Sequence, residues 1–317
     1  MTKANLAPVA TGVARDYNDP RLKTAINRGY CVPDAMPWQE WVTTTFTGAF
    51  LRKNPNRTKV LDILKEAMGE TPTWEMFTDR NMRNFRELME KSGVCANSRR
   101  LYFAQVKAVL NDFGKEVELP TKRYSETLSA KIEPSQHVYL TEKELEAIAE
   151  LAPANDDERY VKSVFLISAY TGARHSDAMS ITLDNIDADT DTLSYVSQKT
   201  HIEACVPVHR GLRSAIQERE DKTMPDAIFN TVLRGLCIRA KIDGKTKMFE
   251  GGEVHTGPKY RFVASHTARR SFVTNLYLRG CDLGTIAKMA GHTNQAMTER
   301  YLCATRNVSE RAMSFFK

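Results

Sequence analysis

Long apolar runs are missing from this chain. The longest stretches, such as Val164–Ala169, fall far short of the roughly 18 residues that a membrane span needs. The first residues lack the charged-then-apolar pattern of an export signal. A soluble cytoplasmic protein with no membrane partner is therefore expected. Internal repeats and low-complexity tracts are also missing, which excludes repeat arrays. The six cysteines, at 31, 95, 205, 237, 281 and 303, form no CxxC pair and have no histidine at metal-ligand spacing. Scattered thiols of this kind suit a reducing compartment and predict small buried hydrophobes, not a disulfide frame or a zinc site.

Composition is that of a globular protein, with 42% hydrophobic and 26% charged residues in 317. That length allows one large or two medium domains. The net charge of +6 is unevenly spread. Residues 1–133 hold 21 Lys/Arg against 16 Asp/Glu, a net +5, and residues 134–317 hold 24 against 23, a net +1. A basic N-terminal part suits a surface that hugs phosphate, although a solvated basic face gives the same count.

Residues 1–34 show no sustained periodicity and read as a tail or arm. From Trp38 the pattern is helical: Trp38, Trp41, Val42, Phe46 and Phe50 recur at steps of three and four. Further amphipathic runs cover Val60–Met68, Met82–Met89 and Leu101–Phe113, so residues 35–120 are expected to form a small helical bundle. Residues 121–136 are polar, aperiodic and Pro-bounded, a linker composition. A second domain then fills 137–317. Thr141 to Glu144 fits a capping box that opens a helix. Residues 192–208 change to strand periodicity around a polar Gln198–His201 tip and predict a β-hairpin. Helical signals resume near Leu212, broken by a Gly/Lys-rich insertion at 243–259. The fold expected is mainly α, of the α+β class, with a small antiparallel sheet.

Four stretches in the second domain carry candidate chemistry. Thr171-Gly172-Ala173-Arg174-His175-Ser176-Asp177 ends a helix at a glycine and presents an arginine. Lys199 sits on the hairpin tip. His266-Thr267-Ala268-Arg269 places two basic side chains at i,i+3 on one helix face. Gly291-His292 is followed nine residues on by Tyr301. Taken together, these residue types answer one chemical problem. A tyrosine with a pKa of about 10 is a poor nucleophile at neutral pH, and a phosphodiester gains negative charge as it becomes five-coordinate. Guanidinium forks stay charged and match two phosphate oxygens, so Arg174 and Arg269 suit a clamp. A histidine or lysine supplies proton transfer, typically worth about 10²–10⁴-fold. These stretches contain no paired carboxylates at metal-ligand spacing, so neither metal nor cofactor is expected.

In order, spacing and flanking sequence these boxes resemble those of the tyrosine recombinase (phage-type integrase) family. Thr171–Asp177 resembles its first arginine box, His266–Arg269 its His-x-x-Arg box, Gly291-His292 with Tyr301 its nucleophile segment, and Lys199 its hairpin lysine. The resemblance spans 137–317 and extends more weakly to 35–120. It implies a SAM-like core-binding bundle followed by an integrase-type catalytic domain. It also implies that Arg174 and Arg269 bind the scissile phosphate and that Tyr301 forms a 3′-phosphotyrosyl bond. Lys199 would protonate the 5′-hydroxyl, His266 would exchange a proton, and His292 would hydrogen-bond a non-bridging oxygen. Asp177, where many relatives carry Glu, would orient the site from behind. Integration or excision of a phage or mobile element is the favoured role, with resolution of replicon dimers as the alternative. The partners implied are duplex DNA with an inverted-repeat core site and a tetramer of this chain assembled through its C-terminal segment (Val308, Met313, Phe315, Phe316). Accessory DNA-bending or directionality factors are left open. Two departures stand out: the 243–259 insertion, and an N-terminal tail too short for the arm-binding domain of the larger phage integrases.

Singly, each element has a plainer reading. TGxR suits a helix end with an exposed arginine, and His266 with Arg269 a surface helix face. His292 suits a helix cap, Lys199 a polar turn, and Tyr301 a packed aromatic with a wet hydroxyl. His175 and His201 fit no required role. Joint occurrence in this order favours the active-site reading. Two rivals share the scaffold. A type IB topoisomerase would relax arbitrary supercoiled plasmids, and a non-catalytic DNA-binding regulator would form no covalent adduct.

Overall fold

The computed structural model describes residues 40–41, 44–55, 57–113, 119–133, 136–250 and 253–303. The 1–34 tail and the apolar segment from Val308 to Phe316 therefore lie outside the described residues. Contacts divide the chain into two compact units, residues 1–134 and 135–317.

The first unit is helical: α1 (Phe46–Lys53), α2 (Thr58–Met68), α3 (Asp79–Lys91), α4 (Ala96–Phe113) and the single turn α5 (Tyr124–Thr127). Thr45 and Thr78 cap α1 and α3 by accepting backbone N–H bonds, and Gly69 closes α2 in the left-handed region, φ 84°. The apolar stripes converge on Trp41, Phe46, Phe50, Leu64, Phe85 and Phe103, all at least 98% buried. The indole of Trp74 donates to Thr44 O at 2.8 Å. Within 121–136, a stretch of linker composition, the structure differs in one respect. Leu128 is fully buried in this first core, with Tyr124 and Ala130 packed against it, so the first half of the stretch belongs to the bundle. Isolated apolar residues in a polar run carry no periodicity by which a sequence could show this.

The second unit is built around α7 (Asp156–Thr171), which is buried on almost every side. Packed on it are α6 (Glu142–Ala149), α8 (His175–Ser180), α9 (Leu212–Gln217), α10 (Asp226–Arg239) and α11 (Thr267–Leu278). The short helices α12 (Leu283–Met289) and α13 (Gln295–Glu299) pack on each other. Thr141 opens α6 with a full capping box to Glu144. Strands β1 (Ile186–Asp187), β2 (Thr192–Val196) and β3 (Glu203–Pro207) form an antiparallel sheet in the order β1-β2-β3. The β2–β3 register pairs Leu193 with Val206 and Tyr195 with Ala204, which puts these four buried side chains on one face. The 243–259 segment is a second antiparallel hairpin, β4 (Lys245–Glu250) with β5 (Glu253–Pro258). No helix among the described residues is long and apolar enough to cross a membrane. The fold is mainly helical with small antiparallel sheets.

Candidate active site

The first box owes its shape to a helix end. Helix α7 stops at Gly172, whose φ of 70° is left-handed and whose N–H bonds Ser168 O at 2.9 Å. A Cβ there would lie 2.5 Å from the Phe272 ring, so this position requires glycine twice over. Two hydroxyls fix the turn: Ser168 donates to Ala173 O at 2.7 Å, and Ala173 N–H donates to Thr171 Oγ1 at 3.2 Å. Arg174 follows at the start of α8 and is buried, as is Asp177 one turn on. Arg174 Nη1 donates to Ser197 Oγ at 2.7 Å, and Ser197 Oγ donates in turn to Asp177 Oδ2 at 3.0 Å. The other Asp177 oxygen accepts from Gln198 N–H at 3.1 Å. Asp177 thus ties the end of β2 to the arginine box.

Lys199 is next in sequence, on the turn between β2 and β3, with its side chain exposed and no ion pair among the described residues. Its neighbours are anchored on both sides, Gln198 to Asp177 and Thr200 Oγ1 to Gly291 O at 3.4 Å.

His266 occupies the N-cap position of α11 and is exposed, whereas Arg269 in the first turn has no accessible surface. The pair is therefore no surface face. Arg269 Nη1 donates to Gly172 O at 2.6 Å, and its Nε and Nη2 are buried without a partner among the described residues. Its Cζ lies 5.2 Å from the centre of the Tyr301 ring, and Arg270 Cζ lies 5.3 Å from it. Arg270 also donates to Arg300 O at 3.2 Å, which braces the backbone next to Tyr301. Desolvation, then the charges of Arg270 and Arg269, hold His266 below the ordinary histidine range.

Gly291-His292 is the end of a Schellman motif. Gly291, φ 63°, sends its N–H to Lys288 O at 3.1 Å, and His292 N–H reaches Ala287 O at 2.9 Å. His292 is a helix-end residue whose buried ring points at chemistry. Its Nδ1 meets Thr298 Oγ1 at 2.8 Å, its Nε2 is buried and unpartnered among the described residues, and its ring centre lies 5.0 Å from that of Tyr301. Burial, followed by Arg269 and Arg174, pushes His292 down to about 3. Tyr301 follows α13, with its N–H on Thr298 O at 2.9 Å and its carbonyl accepting from Thr274 Oγ1 at 3.5 Å.

Five of the seven candidate residues (Arg174, Asp177, Arg269, His292 and Tyr301) are joined by direct contacts or by the shared charges of the two arginines. His266 feels the same charges from the rim, and the Lys199 ammonium forms no hydrogen bond or ion pair with the others among the described residues. His175, set aside on sequence, packs edge-on against Phe229 at 4.4 Å beside Asp226. Sequence reasoning passed over Ser197, Thr298 and Arg270. Only Arg270 left a trace, in the doubled arginine of its box. Tyr195, a strand residue by sequence, lies here too, and burial pushes its hydroxyl up to about 12 against the lowering charge of Arg269.

Buried Arg174, Arg269 and His292 lie with Tyr301 in one unit, on a mainly helical frame with small antiparallel sheets that is the architecture of a tyrosine recombinase. The sequence model of the phage integrase family matches residues 138–307, and the chain belongs to that family. Tyrosine recombinase XerA of Pyrococcus horikoshii is 25% identical over 230 residues, 72% of this chain and 76% of its own length. Tyrosine recombinase XerC of Staphylococcus epidermidis is 24% identical over 180 residues, 54% and 60% of the two lengths. Among solved structures, the Tn1549 transposon integrase in complex with a circular intermediate DNA superposes with a TM-score of 0.60 at 15% identity, covering 94% of this chain and 98% of that one. A lambda integrase dimer bound to a COC′ core site gives 0.57 at 16% identity, covering 82% and 95%. At that identity these likenesses show a shared fold.

Proposed function

We propose that this chain cuts and rejoins duplex DNA through a covalent 3′-phosphotyrosyl bond at Tyr301, in the integration or excision of a phage or mobile element. Arg174 and Arg269 grip the non-bridging oxygens of the scissile phosphate, and His292 adds a hydrogen bond to one of them. As the phenolic oxygen bonds to phosphorus, its proton passes to His266, and the departing 5′-oxygen takes a proton from Lys199. Attack by a 5′-hydroxyl of the partner strand then reverses the step. The phosphodiester energy is kept in the tyrosyl link, so no external energy source is needed. Asp177 acts through Ser197 and Gln198 by keeping Arg174 and the lysine turn in place.

The observation that carries this reading is Arg269. A guanidinium with no accessible surface and two unpartnered nitrogens, 5.2 Å from a tyrosine ring, suits a phosphate that supplies the missing acceptors. Binding as two protomers per inverted-repeat site and a tetramer on paired sites is part of the proposal. It is supported by the Tn1549 and lambda relatives, which are described as bound to DNA, the latter as a dimer and also as a tetramer on a Holliday junction.

The test is denaturant-resistant protein–DNA adduct on a nicked suicide duplex taken from the DNA flanking the coding region. Wild type is expected to accumulate adduct, and Tyr301→Phe, which removes one oxygen, to give none while binding the duplex equally well. Adduct from the phenylalanine variant, or none from wild type, overturns the reading. Relaxation of arbitrary plasmids would instead mark a topoisomerase.

A further inference from the structure

Thr298 touches no reacting atom in the scheme above, yet its side chain is fully buried. Its hydroxyl meets His292 Nδ1 at 2.8 Å, and no other hydrogen bond of that hydroxyl is found among the described residues. A hydroxyl has one proton to donate, and inside a protein that proton needs an acceptor. Among the described residues the only acceptor is Nδ1. A neutral imidazole that accepts at Nδ1 carries its own proton on Nε2. Nε2 is the atom left buried and unpartnered, in a ring 5.0 Å from the Tyr301 ring.

From this geometry we infer that Thr298 is a positioning residue that holds the His292 ring in the Nε2–H tautomer and aims that N–H at a non-bridging oxygen of the scissile phosphate. The inference rests on the role given to His292 above. The opposite tautomer would turn a lone pair toward an anion, and a freely turning ring would not hold its donor ready before reaction. The same residue also sets the spacing of the nucleophile. The Thr298 carbonyl accepts the Tyr301 N–H at 2.9 Å, so hydrogen-bond donor and attacking phenol are gauged from one point on α13. The neutrality of the ring, a consequence of its burial beside two arginines, makes the choice of tautomer decisive: a protonated ring would donate from both nitrogens whatever Thr298 did.

Two measurements test this. In ¹⁵N-histidine-labelled full-length protein at pH 7, His292 is expected to show a protonated, pyrrole-like Nε2 and an unprotonated, hydrogen-bonded Nδ1. A protonated Nδ1 overturns the inference. On the suicide duplex, Thr298→Val keeps shape and volume and loses the hydroxyl. It is expected to form adduct about tenfold to a hundredfold more slowly, the range for one misplaced donor, with duplex affinity unchanged. Thr298→Ser restores the hydroxyl and is expected to recover most of the rate. Equal rates in wild type and the valine variant overturn the inference, as does a serine variant as slow as valine. If wild type itself forms no adduct, the recombinase scheme fails, and the labelled-histidine spectrum still decides the tautomer.

Discussion

A guanidinium with no accessible surface and one neutral hydrogen-bond partner is an expensive thing to bury, and Arg269 is such a group. The carbonyl it holds, Gly172 O, lies at the C-terminal end of α7, where the helix dipole is negative and offsets part of the charge. His292 meets the same field differently, by giving up its proton. Its value of about 3 sets the sign of a pH effect. An unfolded histidine titrates near 6.5, so between that value and about 3 the unfolded chain binds the extra proton and stability falls as pH falls. Urea midpoints measured at pH 7 and pH 5 are expected to drop less for His292→Gln than for wild type; parallel drops would remove His292 as a source. The five candidate residues that the structure brings together stood out in the sequence because their types and order match a known chemistry. Ser197 and Thr298 were not legible, since a serine after a strand and a threonine before a tyrosine are ordinary turn and helix residues. Their roles arise from partners about 20 residues upstream and 6 residues upstream respectively, distances at which no periodicity acts.

At the scale of elements, local rules served well where they were strong. The capping box at Thr141, the left-handed stop at Gly172 and the hairpin around Lys199 all follow from residue type and spacing. The strands β4 and β5 were invisible for a physical reason: β5 runs exposed over four of its six positions, so no alternation of apolar and polar residues marks it. What the Gly172 turn also requires is a close approach that no sequence rule displays, the Phe272 ring where a side chain would begin. Gly172→Ala adds strain at a positive φ to an overlap in the core. A loss of about 2–4 kcal/mol is expected from the two effects together, read as a lower urea midpoint. Cleavage should fall further than stability alone explains, because the carbonyl under Arg269 shifts with the turn. A variant as stable as wild type would show that the turn and the Phe272 ring can yield.

Over the whole molecule, each unit closes its own core, one on Trp41, Phe46 and Phe85 and the other around α7. The basic excess read from sequence lies in the first of them, whereas the buried positive charge of the active site lies in the second. That second charge has a practical side. Two nitrogens of Arg269 and one of His292 are shut away from solvent with no acceptor among the described residues, so any small oxyanion that enters satisfies bonds the protein itself leaves open. Adding millimolar sulfate in place of chloride, at constant ionic strength, is expected to raise the melting temperature through simple mass action. The gain should vanish in Arg174→Ala; an equal gain in that variant would point to a general salt effect. A recombinase built this way is least robust while idle in an oxyanion-poor buffer, and gains firmness from the very group it exists to cut.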